Sequence, residues 1–190
     1  MATRHAVGTS VTCDTSRRPT SKKPAAPKAA APPVFNDSRD QVSASILPSR
    51  TEVAPGADFI IAVVLDASPG WHLWPGPGKI EAPYATFESA IRTEISVPDT
   101  NDEAITLHLG FANWPTIHGV EADLGDGPMN YGVYEGRVGI LIPATIAADA
   151  SGGPREIAVD ISFQACDDQF CLAPAFETVR TEINVLSAGT

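Results

Sequence analysis

Ile157-Ala158-Val159-Asp160-Ile161-Ser162-Phe163 sets a large apolar residue at every second position, with small or polar residues between them. An alternation of period two turns one face of a strand to a core and the other to solvent, whereas a helix repeats every 3.6 residues. The same period recurs on both sides of this stretch. Downstream, Val179, Thr181, Ile183 and Val185 alternate with Arg180, Glu182 and Asn184. Upstream, Val138, Ile140 and Ile142 lead to Pro143, Ile105, Leu107 and Leu109 alternate with Thr106 and His108, and Val42, Ala44 and Ile46 alternate with Ser43, Ser45 and Leu47. Asp58 to Asp66 is apolar at both parities, the pattern of a central strand covered on two faces.

Turn residues punctuate these runs: Pro55-Gly56, Pro69-Gly70, Gly76-Pro77-Gly78, Gly125-Asp126-Gly127-Pro128 and Ser151-Gly152-Gly153-Pro154. No segment carries an apolar stripe at helical spacing for three turns. Seven or more short strands with turns between them predict an all-β fold, a two-sheet antiparallel β-sandwich over residues 41–188. The longest apolar run, Phe59 to Leu65, is of strand length and far short of the roughly 20 residues that span a bilayer.

Residues 1–40 read differently. Pro19, Pro24, Pro27, Pro32 and Pro33 alternate with Ala, Lys and Ser, leaving little to bury, and predict a disordered Pro/Ala/Lys-rich tail or linker. The segment holds seven basic and three acidic side chains, against six basic and 20 acidic beyond it. A body so acidic repels phosphate backbones, which excludes nucleic acid as a partner and suits an extracytoplasmic surface. Met1 to Cys13 lacks the apolar core of a secretory signal, so no export signal is legible in these residues.

Three cysteines are present, Cys13 in the tail and the close pair Cys166 and Cys171. Asp167, Asp168, Gln169 and Phe170 separate the pair, between the strand ending near Ala165 and one beginning after Pro174. Cysteines flanking such a connection face each other, with cross-strand Cβ atoms about 4.5–5.5 Å apart. A disulfide wants about 3.5–4.5 Å, so a small adjustment closes it. A six-residue loop gains only about 2 kcal/mol from cross-linking. The bond can therefore be a reducible switch or an incidental clip, and spacing does not separate the two. Asp167 and Asp168 disfavour a neighbouring thiolate by like-charge repulsion.

Metal is not expected. His72, His108 and His118 stand singly, without the paired spacing of a zinc site. Neither the spacing of the cysteines nor their all-β surroundings match a thioredoxin-type Cys-x-x-Cys motif. Trp71 and Trp74 are read as strand-end core residues and His72 as a turn residue.

The segment Phe163-Gln164-Ala165-Cys166-Asp167-Asp168-Gln169-Phe170-Cys171-Leu172-Ala173-Pro174 resembles the active-site signature of the N-terminal periplasmic domain of the thiol:disulfide interchange protein DsbD. Pro69-Gly70-Trp71-His72-Leu73-Trp74 and Tyr131-Gly132-Val133-Tyr134-Glu135-Gly136 are similar to two further motifs of that family, in family order. The resemblance implies an immunoglobulin-like sandwich without organic cofactor or metal. It implies a redox pair whose second cysteine, Cys171, meets partners while Cys166 resolves, supported by Phe163, Gln164, Asp167, Asp168, Phe170 and Pro174. It also implies a shielding cap loop at Met129-Asn130-Tyr131, where Asn130 replaces a common aromatic. The implied partners are a membrane-embedded dithiol electron donor and extracytoplasmic thioredoxin-like or disulfide isomerase proteins, in the periplasm or tethered to a membrane. Such a chain relays reducing equivalents for disulfide isomerisation or cytochrome c maturation. From the residues alone, a non-catalytic interaction module with a structural disulfide, or an acidic docking domain that ignores its thiols, remains open. Cys13 falls outside either mechanism.

Overall fold

Ile157, Val159, Ile161 and Phe163 are all buried on strand β10 (Gly153–Phe163). In the computed structural model, which describes residues 34–78, 80–125 and 127–187, β10 pairs antiparallel with β12 (Ala175–Val185) along its whole length, Gly153 opposite Val185 and Phe163 opposite Ala175. The outer positions of that ladder carry cross-strand polar pairs, Arg180 to Glu156 at 2.7 Å and Thr178 to Asp160 at 2.6 Å. Both are solvent-facing and add little to stability. β5 (Glu94–Ser96) borders β10, and β2 (Glu52–Val53) lies parallel to β12 at the opposite edge.

The facing sheet runs in the order β1 (Val42–Pro48), β3 (Asp58–Ala67), β9 (Arg137–Ile146) and β6 (Ile105–Leu107), all antiparallel. Val42, Ile46, Phe59, Ile61, Val63, Leu65, Ile140 and Ile142 from this sheet share one buried cluster with Ile157, Val159, Ile161, Phe163, Val179 and Ile183 from the other. That cluster is the core of the expected antiparallel β-sandwich. β6 ends two residues before the reading placed it, and Leu109–Phe111 turn into a 3-10 helix. The ladder stops beside Pro143, which has no N–H to donate.

A third sheet was not expected. β11 (Ala165–Cys166), β4 (His72–Leu73), β8 (Pro128–Glu135) and β7 (His118–Asp123) follow one another side by side. Two of its members are continuations of core strands. β4 follows β3 after the turn at Ser68–Trp71, where Gly70 takes a positive φ of 82° that a side chain would strain. β11 follows β10 after the single residue Gln164. Two-residue strands are too short to show a period, so alternation cannot reveal them.

The described body begins at Val34, ahead of the boundary expected after residue 40. Ser38 is fully buried in a short 3-10 turn, Ser38–Asp40, with Asp37 as its N-cap. Cys13 and the tail up to Pro33 lie outside the described residues, as do Lys79, Asp126 and residues 188–190.

Candidate functional site

Cys166 is the last residue of β11 and stands opposite His72, while Ala165 stands opposite Leu73. Past Cys166 the chain reverses. Asp167 drives the reversal: its Oδ1 accepts from the amides of Gln169 and Phe170 at 2.8 Å each, and its own N–H donates to the Phe170 carbonyl at 3.0 Å. Cys171 returns opposite Cys166, and the two form a disulfide. Outside the bond, the Leu172 amide donates to the Ala165 carbonyl at 2.9 Å.

Two polar side chains hold this hairpin from below. The Ser38 hydroxyl donates to the Ala173 carbonyl at 2.7 Å and accepts the Ala165 amide at 2.9 Å, bridging both arms. Gln164 donates through Nε2 to the Leu172 carbonyl and accepts the Ile91 amide on Oε1, both at 3.0 Å. Phe163 lies in the sandwich core, so its support is packing. Pro174 leads into β12 and is half-buried.

The two sulfurs occupy different environments. Cys166 is fully buried, and its Sγ accepts a hydrogen bond from the Trp74 indole Nε1–H at 3.0 Å. Cys171 is only partly covered. Trp74 is itself fully buried beneath Tyr131, edge-on at 5.7 Å, and Phe87, tilted at 5.5 Å. Cys166, Trp74, Tyr131 and Val133 form a second small core, separate from the sandwich core. On the open side Phe170 is 46% exposed, with Trp71 edge-on at 5.7 Å and Phe35 edge-on to Trp71 at 5.4 Å.

Several expected placements are corrected. Met129, Asn130 and Tyr131 are not in a loop: they open strand β8, where β7 pairs with them through Ala122, Glu121 and Val120. Tyr131 reaches the site by covering Trp74, with its hydroxyl 3.6 Å from the Met129 sulfur. Met129 and Asn130 are exposed. Phe87, from the long connection between Trp74 and Thr93, also lies against the indole. The base of that connection is tied by Thr93, whose hydroxyl and amide both donate to the Trp74 carbonyl, and by Arg92, which donates to the carbonyls of Pro75 and Gly78. Ala85 anchors its middle against β8.

His72 is a strand residue, not a turn residue, and only 2% exposed. Burial lowers its pKa from 6.5 to about 4, against the opposing pull of the Asp167 and Asp168 carboxylates, so the imidazole is neutral at neutral pH. Its ring meets Trp74 edge-on at 5.6 Å. Sequence reasoning missed the parts played by Trp74, Phe87 and Ser38. For Trp74 a signal existed: its place two residues beyond His72, in a motif sharing a family resemblance with the cysteine segment, put it on the same side of the strand.

A disulfide so placed can be opened from one side. Were a thiolate to attack at Cys171, Cys166 would depart into a buried site where an indole N–H already points at its sulfur. Charge-assisted bonds of this kind are stronger than neutral ones, so the departing thiolate gains more from Trp74 than the disulfide does.

No protein-family model and no curated protein matches the chain. Among solved structures, the N-terminal periplasmic domain of ScsB from Proteus mirabilis is similar at 14% identity and a TM-score of 0.46, covering 76% of this chain and 49% of that one. A family 123 glycoside hydrolase from Clostridium perfringens is similar at 12% identity and a TM-score of 0.34, covering 78% of this chain and 28% of that one. The chain thus spans about half the length of the first and less of the second. Both likenesses are too distant to bear on function. Among the described residues, no helix is long and apolar enough to cross a membrane.

Proposed function

We propose that this chain is a thiol–disulfide exchange domain in which Cys171 meets partner thiols and Cys166 is the buried leaving and resolving group. The observation that carries the reading is the asymmetry of the pair: Cys171 is partly exposed, while Cys166 is buried with its sulfur hydrogen-bonded by Trp74. A clip that only fastens strands has no use for such a difference. The bond also closes a loop of six residues next to the sandwich rather than joining its two sheets, so breaking it leaves the core intact.

In the accepting direction, a partner thiolate attacks Cys171 Sγ, the Cys166–Cys171 bond breaks, and its electron pair leaves on Cys166. A second thiol of the partner then attacks the mixed disulfide and releases the reduced pair. In the donating direction Cys171 thiolate attacks a partner disulfide and Cys166 resolves the intermediate. The aromatic rim of Phe170, Trp71 and Phe35, beside Cys171 in the chain through Phe170, offers a docking surface. The relay would run from a membrane-embedded dithiol donor to extracytoplasmic thioredoxin-like or isomerase proteins, in keeping with the resemblance of the cysteine segment to the DsbD N-terminal domain.

Trapping tests the assignment. Cys166→Ser should accumulate mixed disulfides through Cys171 with a thioredoxin-like oxidoreductase, visible on non-reducing gels, while Cys171→Ser should not, because Cys166 is inaccessible. Equal trapping by both variants, or by neither, would refute the asymmetric exchange.

A further inference from the structure

Among the described residues, His72 is the histidine whose Nε2 is buried and meets no hydrogen-bond partner. Native structures rarely leave a buried polar atom unmet, and a group that stays unmet in one state points to a partner in another. His72 and Cys166 are directly opposed across β4 and β11. Opposed residues of an antiparallel pair project to the same face, with Cβ atoms about 4.5–5.5 Å apart. Both side chains also converge on Trp74, which donates to the Cys166 sulfur and lies edge-on to the His72 ring. In the disulfide, Cys166 Sγ has no proton to give. On reduction it becomes an S–H donor on the same face as an imidazole whose Nε2 has no hydrogen-bond partner.

We infer that His72 is the proton acceptor of the reduced pair, its Nε2 taking the Cys166 thiol proton as that sulfur attacks a mixed disulfide at Cys171. The inference rests on the exchange reading above. In the step, Cys166 loses its proton to His72, a bond forms between Cys166 Sγ and Cys171 Sγ, and the bond from Cys171 to the partner sulfur breaks. The electron pair leaves with the partner sulfur, which takes the proton back from His72 or from solvent. The oxidant is the partner's own disulfide. Without an internal acceptor, a buried thiol surrounded by aromatics must lose its proton to bulk water before it can attack.

The charged and titratable groups around His72 are Cys166 on β11, Glu135 opposite it on β8, Tyr131 on the same face of β8, and Asp167 and Asp168 just beyond β11. The two aspartates favour an imidazolium, which stabilises the ring at the moment it holds the proton. In the disulfide form burial dominates and keeps the ring neutral; on reduction a Cys166 thiolate adds a negative charge on the same face, which together with the two aspartates raises the proton affinity of the ring.

The test uses oxidised glutathione as the partner disulfide and reduced protein, following the second step, release of glutathione from the Cys171 adduct, by rapid acid quench and mass spectrometry. Wild type should resolve at a rate that depends less steeply on pH between about 5 and 8 than that of a variant lacking the imidazole. His72→Phe and His72→Gln should be slower by at least about tenfold near pH 6, with rates climbing about tenfold per pH unit as the thiolate fraction grows. Gln keeps polarity and accepts a hydrogen bond without taking a proton, so a purely structural role would leave its profile like wild type. An independent readout needs no variant: the 15N resonance of His72 Nε2 should shift between the oxidised and reduced protein. Wild-type rates and profile in both variants, or an Nε2 resonance indifferent to redox state, would overturn the inference while leaving the exchange reading standing. Failure of the wild type to form any glutathione adduct would instead sink the exchange reading and the inference together.

Discussion

Trp74→Phe isolates the contribution of one hydrogen bond to opening the disulfide. The change keeps an aromatic ring beneath Tyr131 and Phe87 and removes the Nε1–H that lies 3.0 Å from Cys166 Sγ. A hydrogen bond to a charged group contributes about 1.5–3 kcal/mol. Only part of the charge has reached Cys166 at the transition state. Taking about half, the barrier rises by about 0.7–1.5 kcal/mol, which slows attack on Cys171 by about 3- to 13-fold. The assay is pseudo-first-order reduction by excess dithiothreitol, quenched by alkylation and resolved by mass. Urea unfolding of the oxidised variant serves as the control for lost packing. Reduction by Trp74→Phe at the wild-type rate would refute the claim that the indole stabilises the departing thiolate. So would an increase in rate that tracks a drop in global stability.

Ser38→Ala strips the hydroxyl that bridges Ala165 and Ala173 and leaves a buried amide unmet, and a loss of about 1–3 kcal/mol in urea unfolding is expected. His72 imposes a pH dependence of known sign. Its folded pKa of about 4 lies below the ordinary 6.5, so between these values the unfolded chain binds more protons. Stability should therefore be level above about pH 6.5 and fall by about 3 kcal/mol on acidification to about pH 4. Comparing wild type with His72→Phe across that range should show a shallower dependence in the variant, the difference between the two being the His72 share, which checks the sign. Asp168→Asn removes an exposed carboxylate from the approach to Cys171. Reduction by anionic glutathione should quicken by about twofold at low salt and converge on wild type at high salt, while a neutral thiol should register no difference.

The sandwich was legible because its strands are long: β10, β12 and β9 bury alternate positions along most of their length, and β3 is an apolar run between Asp58 and Asp66. The third sheet was not, since β4 and β11 have two residues each and β7 with β8 is rich in glycine and polar residues. Gly132 shows why composition there reflects packing rather than period: a Cβ at that position would meet the side chains of Ile117 at 2.8 Å and Ile80 at 3.0 Å. At the site, the pairing of Cys166 with Cys171 could be read from their spacing around a turn. The difference between the two sulfurs could not, because it depends on Trp74, Phe87 and Tyr131, brought together from β4, the following loop and β8. Ser38 was hidden for the opposite reason: it sits in a polar stretch continuous with the tail, and nothing local marks it as buried.

The central claim is that the Cys166–Cys171 bond is a working switch, and its reduction potential tests that most directly. Equilibration with glutathione redox buffers, or with a dithiol of lower potential, should place the pair near about −270 mV, in the range of thioredoxin. A value below about −300 mV would mark a structural bond held closed by the fold, and the exchange account would be wrong.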